Sequence, residues 1–124
     1  MAHTRITSGY ALEEMYGYCR AVKAGNTVYI SGTTARDEDL DLDTAGQARA
    51  IFRIITEALR KAGSDLSHVV RSTIYLLDMQ DQDAVGRVNG EFFKDIKPVL
   101  TIVQVAGLHP KARVEIEMIS VIPE

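Results

Sequence analysis

The chain lacks the cysteines that an internal disulfide framework would need. Its one cysteine, Cys19, fits a protein from a reducing compartment. No apolar stretch approaches membrane-spanning length, and the amino terminus lacks the hydrophobic region of a signal peptide. Positive charge does not predominate either, because 14 Lys and Arg residues stand against 17 Asp and Glu residues, which gives a formal net charge of −3. Binding to the phosphates of a nucleic acid normally needs a basic face. We therefore expect a cytoplasmic protein with neither a membrane partner nor a nucleic-acid partner.

Metal and nucleophile motifs are absent from the sequence as well. The three histidines, His3, His68 and His109, are too far apart in sequence to indicate a metal site. The acidic segment 37–43 resembles a calcium loop, but it lacks the glycine at the sixth position and the glutamate at the twelfth. Cys19 has no histidine close to it in sequence. The sequence thus predicts a solvated acidic loop and no cofactor.

The composition is typical of one globular domain that spans residues 1–124. Hydrophobic residues make up 46% of the chain and charged residues 25%. Alternating apolar residues predict strands at Tyr18–Val22 and Thr27–Ser31, joined by a hairpin turn at Ala24-Gly25-Asn26. A short edge strand is expected near Thr4–Thr7.

Two helices are expected, because apolar residues recur at helical spacing in two stretches of the chain. The first helix begins at Thr44, which forms a capping-box pattern with Gln47, and it ends at Gly63. The second begins at Asp81 and ends before Pro98. Each helix has one apolar stripe, so each is expected to pack on a face of the sheet.

The C-terminal half of the chain predicts the remaining strands, beginning with His68–Leu77. The run from Val99 to Ala106 is apolar on both strand faces, which predicts that both faces are covered. In the run from Arg113 to Ile122, apolar side chains alternate with Glu115 and Glu117. The predicted order is β-β-α-β-α-β-β, an α+β fold with two helices on one face of a single sheet. Because no chain remains to cover the other face, we expect a homo-oligomer.

Several short segments occur in an order that is specific when taken together. They are Tyr18 with Ala21-Val22, Gly25 to Gly32, Leu59 to Gly63, Tyr75 to Met79, Phe93 before Pro98, and Val114 to Glu117. In this order they resemble the Rid family, the reactive intermediate deaminases, which are also described as L-PSP endoribonuclease-like proteins. The resemblance extends from about Gly17 to Ile119. It implies a chorismate-mutase-like fold and a homotrimer with a small-molecule cleft between each pair of subunits.

One departure from the Rid pattern affects the residue that binds the substrate. Deaminating members carry Pro-Ala-Arg-Ser, and their Arg binds the carboxylate of an imino acid through a bidentate salt bridge. Here the corresponding segment is Pro98-Val99-Leu100-Thr101. Leu100 provides neither the charge nor the five donors of an arginine. This replacement argues against the usual 2-imino acid deaminase activity.

A second departure introduces an arginine into the first long strand. The family's Gly-Pro-Tyr-Ser-Gln is replaced by residues 16–20, which end in Arg20. Arg20 is expected to project from the same strand face as Tyr18. Two interpretations stay open: Arg20 is a relocated anion-binding residue, or it forms an ion pair with Glu115, Glu117 or another acid.

The resemblance assigns the remaining site residues. Glu115 corresponds to the carboxylate that orients the hydrolytic water, and a buried carboxylate can have the raised pKa that acid–base catalysis needs. The backbone near Ser31 and Gly32 is expected to donate to a ligand oxygen. His109 is either a proton carrier at the mouth of the cleft or an exposed turn residue. The other expected ligand contacts are Tyr18, Arg20, Leu100 and Ile102.

Three functions follow from these expectations. The first is hydrolysis or tautomerisation of a small carboxylate- or carbonyl-bearing metabolite, with Glu115 handling water or protons and Arg20 binding the anion. The second is a small-molecule binding or regulatory protein that uses the same pocket without turnover. The third is the endoribonuclease activity in the family's description, which ranks last because no basic and aromatic surface supports it.

Overall fold

The computed structural model describes residues 2–124 of the chain. Within this range the chain forms helices and strands that are joined by short loops and three 3₁₀ segments. The helices are α1 (Ala11–Tyr16), α2 (Thr44–Lys61) and α3 (Gln82–Phe93). The strands are β1 (Thr4–Ile6), β2 (Ala21–Ala24), β3 (Thr27–Thr33), β4 (Val69–Leu76), β5 (Val99–Gln104) and β6 (Val114–Val121). The 3₁₀ segments are Asp37–Asp41, Leu66–His68 and Met79–Asp81.

All the strands belong to one mixed sheet with the order β1-β2-β3-β6-β4-β5. Strands β4 and β5 are parallel, and α3 provides the crossover that a parallel connection requires. The other neighbouring strands are antiparallel. The β2–β3 hairpin turns at Gly25, whose φ of 62° is a conformation that glycine adopts readily. The predicted α+β fold with a single sheet is confirmed, and the expected edge strand is β1.

Helices α2 and α3 cover one face of the sheet. Alternation along the strands turns Val28, Ile74 and Ile116 toward the helices, where each is fully buried. The side chains of α2 that complete this core are Ala48, Ile51, Phe52, Ile55 and Leu59. Phe52 stacks on Phe92 with ring centroids 4.3 Å apart, which joins α2 to α3. Among residues 2–124, no helix is long and apolar enough to cross a membrane.

The opposite face of the sheet is uncovered within one chain. Register places Tyr29 beside Ile119 and Tyr75 beside Val103 on this face. Edge strand β5 is the most open element, since Val99 is 56% exposed and Val103 39% exposed. The prediction that both faces of this strand are covered therefore does not hold inside the single chain. We refer below to this side of the sheet as the open face.

The N-terminal segment differs from the sequence prediction. Helix α1 was not expected, and the strand expected at Tyr18–Val22 begins only at Ala21. Gly17 ends α1 in the left-handed conformation, with φ 75°, and its N–H donates to the carbonyl of Glu13. Tyr18 is held by this helix end, because its N–H also donates to the carbonyl of Glu13, whereas the backbone of Arg20 is hydrogen-bonded to Ile6 and Ser31 of the sheet. The helix is only six residues long, so its apolar pattern was too short to detect.

The N-terminus of α2 is capped one residue earlier than predicted. Asp43, not Thr44, is the N-cap residue, and its Oδ1 accepts a hydrogen bond from the Gly46 N–H at 2.8 Å. The Thr44 hydroxyl donates instead to Asp81 Oδ2 at 2.7 Å. The predicted end of the helix is confirmed, because Gly63 follows it with φ 77°.

Gln47 is a buried connector and not part of a capping box. Its amide nitrogen lies within hydrogen-bond distance of the carbonyls of Leu40, Leu42 and Lys111, at 3.0 to 3.2 Å. Its Oε1 accepts from the Arg113 N–H at 2.9 Å. The side chain is completely inaccessible to solvent. Gln47 thus ties the acidic 3₁₀ segment to the chain that leads into β6.

Candidate functional site

A cavity of about 280 Å³ brings together side chains from distant parts of the sequence. Helix α1 and its flanking residues form one side, and the end of β3, the loop after it and the start of β6 form the other. We call this cavity the cleft. Its lining residues are Tyr10, Leu12, Tyr16, Tyr18, Arg20, Gly32, Thr34, Arg36, His109 and Glu115.

Arg20 is buried in the wall of the cleft and is 1% exposed. Its Nε donates to Glu13 Oε2 at 3.2 Å, and its Nη1 donates to the Gly32 carbonyl at 2.8 Å and to Thr33 Oγ1 at 3.1 Å. Its Nη2 lies 3.2 Å from Glu13 Oε2 and donates to the Tyr18 hydroxyl at 3.3 Å. Each guanidinium nitrogen therefore already has a protein acceptor. The ion-pair interpretation is confirmed, with Glu13 as the acid in place of Glu115 or Glu117.

Glu13 is a buried acid on α1 that is surrounded by donors. Its carboxylate accepts from the Thr7 hydroxyl at 2.7 Å, from the Ser8 N–H at 3.0 Å and from the Ser8 hydroxyl. Burial alone would raise the pKa of Glu13, but the hydrogen bonds from Ser8 and Thr7, together with the charge of Arg20, outweigh it and lower that pKa. Glu13 thus stays ionised and fixes α1 to the sheet.

Glu115 has the opposite environment on the other side of the cleft. Within residues 2–124 its half-buried carboxylate accepts no hydrogen bond that would favour the ionised form. Burial first, and the charge of Glu117 second, raise the pKa of Glu115 against the opposing charges of Arg20 and His109. Glu13 does not line the cleft, and Glu115 is the carboxyl group among the lining residues. A raised pKa brings a carboxyl group closer to neutral pH, which suits it to exchange a proton.

Gly32 leaves the space that the Glu115 side chain occupies. A Cβ atom added to Gly32 would lie 2.5 Å from Glu115 Oε2 and 3.0 Å from its Cδ. Strand β3 also loses its regular register with β6 between Ile30 and Thr33, and such irregularities often redirect groups beside active sites. The absence of a side chain at Gly32 therefore determines where the Glu115 carboxylate sits.

Glu117 lies on the same face of the sheet as Glu115, two residues further along β6, but its carboxylate has its own partner. The Tyr75 hydroxyl donates to Glu117 Oε1 at 2.5 Å on the open face of the sheet. This hydrogen bond, followed by burial and the charge of Glu117, raises the pKa of Tyr75. Glu117 acts on the cleft through its negative charge, which reaches Glu115 two residues away along β6.

The structure brings together most, but not all, of the residues that the sequence analysis selected. Tyr18, Arg20, Gly32, His109 and Glu115 all line the cleft. Ser31 and Tyr18 line a neighbouring, more open depression of about 520 Å³. Leu100 and Ile102 are on β5, at the far edge of the sheet, and do not reach the cleft of their own chain. Among residues 2–124, no group of three or more His, Cys, Asp or Glu side chains could hold a metal ion.

Sequence reasoning missed the cleft residues that come from the ends of α1 and from the loop after β3. Tyr10 stacks against the guanidinium of Arg36, whose Cζ lies 4.4 Å from the centre of the ring. Arg36 also donates from Nη2 to Ser8 Oγ at 2.8 Å. The signal that could have found this segment is a pair of glycines, Gly9 and Gly17, which both have positive φ on either side of α1.

Comparison with protein families gives a match to most of the chain. The model of the Endoribonuclease L-PSP family matches residues 9–122. Among curated proteins, the 3-aminoacrylate deaminase RutC of Acinetobacter baylyi is 36% identical over 83% of this chain and 85% of its own length. The 2-iminobutanoate/2-iminopropanoate deaminase of Mus musculus is 34% identical over 84% of this chain and 80% of its own length.

Solved structures show the same fold. A member of the YjgF/YER057c/UK114 family from Mycobacterium tuberculosis is 38% identical and superposes with a TM-score of 0.89, over 98% of this chain and 100% of that one. A protein of unknown function from Pseudomonas aeruginosa is 28% identical, with a TM-score of 0.87, over 98% of this chain and 93% of that one. These similarities cover the whole sheet and the helices that pack on it.

Proposed function

The chain belongs to the Endoribonuclease L-PSP family, also called the Rid family, and on that basis we propose that it hydrolyses or tautomerises a small carbonyl-derived metabolite in the cleft. The observation that carries this proposal is the position of Glu115. Its carboxyl group has a raised pKa and lies free of protein hydrogen bonds beside the cavity that Tyr18 and Gly32 also line. Deaminases among the relatives make an imine or enamine the first substrate class to consider.

The chemistry requires one group that can take up and return a proton. For an imine, Glu115 removes a proton from water while the water oxygen attacks the C=N carbon. Glu115 returns that proton to nitrogen, which completes the amino alcohol. The hydroxyl proton then passes to nitrogen by way of Glu115, the C–N bond breaks and ammonia leaves, so the net change is imine plus water to carbonyl plus ammonia. Tautomerisation would use the same carboxyl group to move a proton between carbon and nitrogen or oxygen. The backbone at Gly32 is the proposed donor to the ligand oxygen.

Arg20 contributes to this site as charge more than as a free donor. The hydrogen bonds around its guanidinium leave no nitrogen without an acceptor, and its side chain is nearly inaccessible. Its positive charge favours the ionised form of Glu115 and so limits how far the pKa of that group rises. Direct binding of a substrate carboxylate by Arg20 would require the ion pair with Glu13 to open.

We further propose that the protein is a homotrimer, as the resemblance to the Rid family implies. The uncovered apolar residues of the open face support an assembly of this kind. In a trimer, Leu100 of a neighbouring subunit would close the cleft with an apolar side chain, whereas Ile102 packs against the core of its own chain. This arrangement would account for the position of Leu100 on an exposed edge strand, where it is 42% exposed in the single chain.

Binding without turnover is the second candidate function, and Leu100 is the observation that favours it. A leucine cannot form the bidentate salt bridge that the deaminating members use to bind a carboxylate. A regulatory or carrier role would need the cleft but not the proton exchange at Glu115. Endoribonuclease activity has no comparable support from the residues of the cleft.

Ammonia release separates these functions. The enzyme proposal predicts that wild-type protein accelerates ammonia release from imines generated in situ by an amino-acid oxidase. Glu115→Gln should reduce the rate by about 100-fold or more, because acid–base groups typically contribute that much. Glu91→Gln is the matched control, since that exposed carboxylate is bonded to Arg49 and does not line the cleft. Equal rates for wild type, Glu115→Gln and buffer would reject catalysis in favour of the binding function.

A further inference from the structure

The cleft has more positive charge than the buried acid beside it can neutralise. Arg20 and Arg36 both approach Glu13, with nitrogen-to-Oε2 distances of 3.2 and 3.8 Å. Burial, followed by the charge of Arg20, lowers the pKa of Arg36, although a guanidinium stays protonated at neutral pH. Within residues 2–124, no ion pair joins Glu115 to either arginine, so the two guanidinium groups share one carboxylate. One of them therefore lacks a carboxylate of its own in this partly desolvated site.

Arg36 is the arginine that still has donors to offer. Its side chain is 18% exposed, whereas that of Arg20 is 2% exposed. Within residues 2–124, its hydrogen bond is the one from Nη2 to Ser8 Oγ. A guanidinium has five N–H groups in a planar fork, so most of those on Arg36 are free for an incoming anion. Stacking on Tyr10 fixes the plane of the fork and reduces the entropy lost when it binds.

We propose that Arg36 is the anion-binding residue of the cleft and that the ligand is a small carboxylate. This inference rests on the proposed function, because it names the group that holds the substrate for Glu115. The carboxylate would accept two parallel hydrogen bonds from Arg36, and the reactive carbon would point toward Glu115 and Gly32. Leu100 then has no charge to provide, and an apolar side chain suits the closed end of the cleft.

The walls of the cleft indicate what the carboxylate is attached to. Tyr10, Tyr16 and Tyr18 present aromatic rings to the cavity, and Leu12 adds an aliphatic side chain. Aromatic and aliphatic walls favour a planar apolar body over a hydroxylated one. The volume of about 280 Å³ is at the lower limit of ordinary ligand sites, so the body is small. The ligand class is thus a small carboxylate joined to a flat apolar or conjugated group.

Titration with a matched pair of probes tests this assignment. Benzoate carries the carboxylate on a flat apolar ring, and benzamide replaces it with an uncharged amide of the same shape. We expect Arg36→Gln to weaken benzoate binding by about 10- to 100-fold, as the loss of charge-assisted hydrogen bonds implies, and to leave benzamide binding unchanged. Arg53→Gln is the control, because Arg53 lies on the exposed face of α2, with its side chain 65% exposed.

The outcomes separate this inference from the proposed function. Benzoate affinity that is equal in wild type and Arg36→Gln overturns the inference, as does a wild-type protein that binds benzoate no better than benzamide. If Arg36→Gln does not fold, Arg36→Lys replaces it and should retain the preference for benzoate with reduced affinity. The ammonia assay with Glu115→Gln does not use benzoate. It therefore tests the proposed reaction independently of the result of the titration.

Discussion

At the scale of single residues, Glu13, beside the cleft, and Glu115, in its wall, show how the surroundings of a carboxyl group set its pKa. Glu13 receives donors from Thr7, Ser8 and Arg20, and its pKa is lowered despite burial. Glu115 receives none of these, and its pKa is raised by burial and by Glu117. The same side chain is therefore a fixed structural anion at one position and a candidate proton carrier at the other.

These opposite shifts have opposite effects on stability. The lowered pKa of Glu13 stabilises the folded state above the ordinary carboxyl range, and this contribution is lost as the pH falls through the folded-state pKa. The raised pKa of Glu115 means that the folded state holds a proton more tightly than the unfolded chain. Stability due to Glu115 is thus greatest at low pH and is lost as the pH rises through the folded-state pKa.

The pH profile of the reaction should depend on Glu117. Replacing Glu117 with Gln keeps an acceptor for the Tyr75 hydroxyl but removes the negative charge that raises the pKa of Glu115. We expect the acidic limb of the pH–rate profile to move to lower pH, because Glu115 then ionises more readily. Measuring kcat/KM across the acidic range tests this prediction. A shift in the alkaline direction would contradict the assignment of Glu115 as the base.

Gly32→Ala should impair catalysis more than stability. The new Cβ would lie 2.5 Å from Glu115 Oε2, so the carboxylate has to move away. Misplacing a catalytic group by about 1 Å can lower activity by about 100-fold. The free energy of unfolding should change by less than about 1 kcal/mol, because the end of the Glu115 side chain can move to relieve the contact. Gly107→Ala, which meets no atom within 4 Å, is the matched control. Full activity in Gly32→Ala would contradict the proposed position of the catalytic carboxylate.

At the scale of secondary-structure elements, much of the fold could be predicted from the sequence because its signals are periodic. In helix α2 and in strands β4 and β6, the buried side chains recur at regular intervals. These intervals can be read directly from the spacing of apolar residues in the sequence. The residues that line the cleft follow no regular spacing in the sequence. It is formed by α1, a bulged end of β3 and a loop, whose conformations depend on glycines and buried ion pairs. Arg36 could not be selected for this reason: its partners Ser8 and Tyr10 come from a distant segment.

Gln47 joins the acidic 3₁₀ segment to the chain before β6, and its contribution to the stability of the fold can be measured. We expect Gln47→Ala to lower the free energy of unfolding by about 2 to 4 kcal/mol, because it leaves buried backbone groups near Leu40, Leu42 and Arg113 without partners. Chemical denaturation measures the change. Gln80→Ala is the control, since Gln80 is exposed and only its backbone N–H is hydrogen-bonded. A loss below about 1 kcal/mol would mean that water replaces these bonds.

At the scale of the whole molecule, both the cleft and the open face indicate that a second copy of the chain is needed to complete them. The family resemblance predicts Leu100 and Ile102 as ligand contacts, yet β5 is separated from β3 by two strands of the same sheet. A second copy of the chain is the simplest way to bring β5 to a cleft. Assembly would also cover apolar residues that one chain leaves exposed, including Tyr29 and Val103. Catalysis and assembly are therefore expected to fail together.

Val103→Lys tests this coupling. A lysine placed in a desolvated interface costs several kcal/mol, so the proposed trimer should dissociate into 13.7-kDa monomers at micromolar concentration. Sedimentation velocity measures the state, and the ammonia assay should lose most of its rate in the same variant, because the neighbouring Leu100 no longer closes the cleft. Leu42→Lys is the matched control, since Leu42 is similarly exposed, at 42%, but lies beside α2 and away from the open face. A monomeric wild type, or a trimeric Val103→Lys, would show that the open face is not the interface.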